Sequence, residues 1–186
     1  MKKNILRLLF VFPLLFACGN STNSEKKTAI DTLKEKITAK ENSFATLQDA
    51  KKEISTIERN ELIDMLLDFY TRYPKDAYAP VCLDKAHMVY SAMGLYNRSS
   101  EYADILLEKY PKYVNRAMIL SSQASNYDIF IQPRDTNKIK YYNTLLLKEN
   151  PKMDKEMKAE IEMKLKHLDL NLEEYLHFMM KQSSGK

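Results

Sequence analysis

The side chains in this sequence able to act as metal ligands, bases or nucleophiles are few. They are Cys18, Cys82, His87, His167 and His177, plus carboxylates spread along the chain. A metal centre needs three or four donors that converge, often paired at helical spacing. The three histidines are too scattered for that, and His-Glu-x-x-His does not occur. Cys82 and His87 are five residues apart and fall on different sides of a helix, so His87 reads as a helix-face residue. Cys82 sits among Leu83, Ala86 and Val89 and reads as a small buried side chain, with no basic group at helical spacing to activate it. No Gly-rich phosphate loop and no Gly-x-Ser-x-Gly occurs. Glu160, Glu162, Glu173 and Glu174 alternate with lysines as a solvated helix face does. The expectation is a non-enzyme that needs no cofactor and no metal. An envelope enzyme would instead require ionisable groups gathered in a cleft.

Cys18 is different because of what precedes it. Residues 1–17 hold a basic start (Lys2, Lys3, Arg7), a short apolar stretch and a small residue at Ala17, which is the grammar of a secretory signal. The stretch is shorter than the roughly 20 residues of a spanning helix, and Pro13 interrupts it. Leu15-Phe16-Ala17-Cys18 resembles the lipobox of bacterial lipoproteins, with Phe16 bulkier than the usual occupant. That resemblance implies cleavage before Cys18 and diacylglycerol on its sulfur. The mature chain is then anchored to a membrane through acyl chains without spanning it. Without the leader, 26 basic residues face 25 acidic ones, a net charge of +1. Nucleic-acid binding needs a basic face that neutralises several phosphates, so that class is excluded.

The polar residues 18–27 read as a flexible tether. No acidic run follows Cys18, and Gly19 is not the Asp linked to inner-membrane retention. By resemblance, the address is the outer membrane, facing the periplasm.

The elements that would position a site are helical. Residues 28–54 give one helix from Thr28, as cap, to about Glu41, with Ile30, Leu33 and Ile37 on one face, and then a connection. Residues 55–180 form the main domain. Ser55-Thr56-Ile57-Glu58 and Asn171-Leu172-Glu173-Glu174 are capping boxes, and Asp154 caps another helix. The last of these helices would cover the open face of the array. Residues 128–137 break the rhythm as a longer loop, and 181–186 read as a disordered tail. One glycine between Gly19 and Gly185 argues against hairpin-rich β structure. The fold class expected is all-α, with about seven helices after the signal peptide.

Helical stretches end at Tyr73-Pro74, Tyr110-Pro111 and Asn150-Pro151, with prolines 37 and 40 residues apart. Together with Leu83, Ala86, Tyr90, Gly94, Tyr96 and Leu107, this resembles tetratricopeptide repeats, antiparallel helix hairpins that end in Pro. Ser99 stands where that family most often has Ala, and Ala103 replaces an aromatic. More narrowly, residues 55–178 resemble the BamD-type outer-membrane assembly lipoproteins. The resemblance implies a curved stack of hairpins whose inner helices line a groove. The groove positions implied are Asp84, Met88, Ser91, Asn115, Met118, Ser122, Ser125 and Asn126. A polar floor with two methionines suits a segment of another envelope protein. The function implied is an anchored adaptor, with a structural or small-ligand-holding lipoprotein as the alternative.

Overall fold

The computed structural model describes residues 21–184, with side chains from 28 to 181. The fold is all-α: no strand occurs among the described residues. Eight α-helices follow one another: α1 (Ser21–Asp49), α2 (Thr56–Arg72), α3 (Ala79–Ala92), α4 (Tyr96–Lys109), α5 (Arg116–Ser125), α6 (Thr136–Glu149), α7 (Lys155–Lys166) and α8 (Leu172–Ser184). The leader and Cys18 lie outside the described residues.

Three boundaries differ from expectation. Helix α1 begins at Ser21, inside the segment expected as tether, and runs on to Asp49. No Gly or Pro interrupts residues 21–49, so a helix nucleated where Ile37 packs can propagate both ways. Thr28 is therefore an interior helical residue and not a cap. Asn126–Phe130 forms a π-helical turn that takes in the first three residues of the loop expected at 128–137, closed by the Ile131 amide on the Asn126 carbonyl at 2.8 Å. Helix α8 runs to Ser184, past the start of the expected tail.

The three proline stops share one geometry. Tyr73, Tyr110 and Asn150 leave their helices at φ/ψ of −131/53, −127/65 and −121/62. Each donates its amide to the carbonyl four residues back, and each carbonyl accepts the amide three residues on, from Asp76, Tyr113 and Met153, at 3.0 Å. The following proline has no amide to continue the helix, so the chain turns there each time. The α3–α4 turn is of another kind. Gly94 adopts φ +72, Leu95 donates to the Tyr90 carbonyl and Gly94 to the Ser91 carbonyl, a Schellman motif. Both capping boxes form as expected, at Ser55 with Glu58 and at Asn171 with Glu174.

Packing runs from neighbour to neighbour. The principal helix contacts join α1 to α2, α2 to α3, and so on to α7. The apolar interior divides accordingly. Ile37, Leu66, Phe69 and Cys82 centre the first cluster, Leu83, Ala103, Leu106 and Ile119 the second, and Leu120, Ala124, Tyr142 and Leu146 the third. Leu67 and Leu107 touch two clusters each and join them in series.

Candidate functional site

A cleft of about 890 Å³ lies between α5, the α6–α7 connection and α7. Its floor is the outer face of α5, with Ala117, Met118, Ser121, Ser122 and Ser125. Leu146, Met153 and Met157 form the facing wall, and Glu149 to Asp154 close one end. The pattern on α5 follows from helix pitch. Ile119 and Gln123 turn inward toward α4, while Leu120 and Ala124 pack in the third cluster against α6, which leaves the strip through Met118 outside. Met118 is 71% exposed.

Of the expected groove residues, the cleft brings together Met118, Ser122 and Ser125. Met88 is exposed on α3, and Ser91 and Asn115 are half-buried. Asp84 and Asn126 are not groove residues. Asp84 is 8% exposed because the turn after Pro111 lays Tyr113 and Asn115 over α3. The Asp84 carboxylate accepts from the Tyr113 hydroxyl at 3.0 Å and from the Asn115 side-chain amide at 2.9 Å. Burial and the adjacent Asp84 push the Tyr113 hydroxyl well above its ordinary pKa. Asn126 is 2% exposed. Eight residues beyond Met118 it has drifted about 80° round the helix, at 3.6 residues per turn, to join Ile119 and Gln123. Its side chain donates to Ser100 Oγ at 3.1 Å.

His87 is buried, not set on an open helix face. Its Nδ1 lies 2.7 Å from Ser99 Oγ and 3.1 Å from the Ser99 carbonyl, and its Nε2 lies 3.3 Å from Ser122 Oγ. With the proton on Nδ1 the ring donates to Ser99 and accepts from Ser122, so both nitrogens are satisfied. Burial pushes the His87 pKa below its ordinary value, against the opposing pull of the Ser99 carbonyl and Asp84. Ser99 thus has a structural reason to be Ser and not Ala. A Ser–His pair can serve nucleophilic chemistry. Here Ser122 sits within α5, where its backbone amide is engaged by the carbonyl one turn back and is not free to face an oxyanion. The pair fixes the cleft floor to α3 and α4.

Cys82 is buried in the first cluster. Burial pushes its thiol up to about 12, against the opposing charge of Lys85, which does stand at helical spacing three residues on. Among the described residues no group of three His, Cys, Asp or Glu comes together that could hold a metal ion. No helix among them is long and apolar enough to cross a membrane.

Comparison with family models, curated proteins and solved structures gives no match.

The cleft also uses residues outside the expected groove set, chiefly Ser121, Lys152, Met153 and Met157. One signal was available: Ala117, Ser121 and Ser125 recur every four residues, a strip too small to fill the space beside α7.

Proposed function

We propose that this chain is a lipid-anchored adaptor of the bacterial envelope, held at the outer membrane through Cys18 and facing the periplasm. It binds a segment of another envelope protein in the cleft between α5 and α7, in the manner of adaptors for outer-membrane protein assembly. The fold reading beneath this is a tetratricopeptide-like solenoid. It is supported by the common geometry of the three proline stops and by three apolar clusters arranged in series. The observation that carries the functional reading is the cleft itself. Its methionines are flexible and polarisable and adapt to varied apolar side chains, while the serines offer hydrogen bonds to a backbone.

Affinity capture from detergent-solubilised envelopes tests the proposal. A partner retained by the native chain and lost with Met118→Asp supports it. Capture unchanged by that substitution counts against the cleft.

One observation favours the alternative of a ligand-holding lipoprotein. The cleft volume of about 890 Å³ lies within the usual range for small-molecule sites, about 300–1,000 Å³. Mass spectrometry of the native chain would then find a small molecule that is lost with Met118→Asp.

A further inference from the structure

Helix α8 carries two apolar faces. Tyr175 and Phe178 turn inward, with the Phe178 ring 4.3 Å from that of His167. Leu176 and Met179, three residues apart and 53% and 37% exposed, form an outer ridge, whereas Leu172 lines the same small pocket as Tyr175. Two acids stand at the start of this helix. Glu174 is held in the capping box with Asn171, whereas Glu173 makes no hydrogen bond or ion pair among the described residues.

The cleft is the chemical complement of that ridge. Its walls are methionine, leucine and alanine over serine hydroxyls. Of its three charged residues, Glu149 is paired with Arg116 at 2.6 and 3.1 Å, and Asp154 accepts two amides at the start of α7. Lys152 alone is uncommitted among the described residues. A segment bearing several charges would lose hydration in this cleft without compensation, and a single acid could be met only by Lys152. The matching segment is thus an apolar ridge with one uncommitted acid at its end.

We infer that the occupant of the cleft is α8 of a second copy of this chain, with Glu173 of that copy meeting Lys152. In its own molecule α8 rests on His167 through Phe178 and on the pocket beside Asp128 through Tyr175, and Leu176 stays exposed to another copy. Reciprocal docking of α8 between two molecules gives a closed twofold dimer, each ridge lying in the other's cleft. The inference rests on the reading of the cleft as a docking groove and adds its regulation. The dimer covers the groove, and a partner must displace α8 to enter.

Sedimentation equilibrium of the full chain in density-matched detergent tests this. The expected result is a dimer whose dissociation constant rises at least about a hundredfold with Leu176→Asp or with Met118→Asp, since either buries an unpaired carboxylate. Both side chains are exposed within one molecule, so folding should persist. An equimolar mixture of the two variants should form a heterodimer, because one intact helix and one intact cleft remain. Lys152→Glu and Glu173→Lys should each weaken the dimer several-fold, and the double variant should restore it. A chain that stays monomeric, a dimer indifferent to both aspartates, or a mixture that stays monomeric would overturn the inference. If the native chain is monomeric but partner capture still depends on Met118, self-docking fails and the adaptor reading stands. If capture is also indifferent to Met118→Asp, both fail.

Discussion

The Tyr110 hydroxyl donates to the Pro74 carbonyl at 2.6 Å, so the end of one helix pair is bonded to the end of the pair before it. Beside it, the Lys109 ammonium donates to the Tyr70 hydroxyl at 2.8 Å, a second bond between the same two helix ends. The Tyr-Pro stops therefore join successive pairs as well as ending helices. Tyr110→Phe should lower stability by about 0.5–1 kcal/mol in urea unfolding, the usual net worth of one hydrogen bond. No change would mean that packing alone sets the alignment of the pairs.

Asp84 holds the α4–α5 connection against α3 through Tyr113 and Asn115. Asp84→Ala strands two polar groups in a part-buried site, so a loss of about 2–3 kcal/mol is expected. Tyr113→Phe removes one donor and leaves Asn115 in place, and should cost less. The comparison of the two by thermal unfolding checks the assignment.

Asp128 carries the clearest pH dependence. It lies 2.8 Å from Arg134 Nε and 2.6 Å from Lys164 Nζ, which fixes the π-helical turn to α7. Burial alone would raise its pKa, but Lys164 and Arg134 outweigh burial and hold it below the usual carboxylate range. A carboxylate lowered in the folded state stabilises above its unfolded pKa and loses that contribution as pH falls through the folded value. Asp128→Asn should therefore cost about 3 kcal/mol near neutrality, as breaking a buried pair does. The stability curves of variant and native chain should begin to converge as pH falls below about 4, the ordinary range of an unfolded Asp, and meet only below the lowered folded value. A constant gap down to strong acid would contradict the ion pairs.

Much of this fold was legible in the sequence because its signals are local. Ser55 with Glu58, Asn171 with Glu174, Gly94 and the three prolines each act within one helical turn. What could not be read depends on residues far apart. Asp84 has the spacing of an exposed position and is buried only because Tyr113, 29 residues on, covers it. Asn126 followed Met118 and Ser122 at four-residue steps, but 3.6 residues per turn carries it inward. His87 gave no sign of Ser99 and Ser122, since a side-chain bond between helices leaves no periodic trace. The cleft was half visible, through small residues on α5. Its other wall, Met153 and Met157, follows from the direction that α7 takes after Pro151.

Cys82 reports on opening of the first cluster. With its thiol pushed up to about 12 by burial, little thiolate exists at pH 8. Alkylation by iodoacetamide should be slow in the folded chain and should rise in parallel with urea unfolding. Rapid modification in the absence of urea would show that α1 and α2 open independently of the rest.

The central claim is that another protein chain lies in the cleft between α5 and α7. Photo-crosslinking in intact cells tests it most directly, with a crosslinking amino acid at Met118 on the cleft floor and another at Tyr141, which is exposed but outside that cleft. A discrete protein adduct is expected at position 118 and none of the same mass at position 141. Identical adducts at both positions, or none at 118 while the chain is present at normal levels, would contradict it.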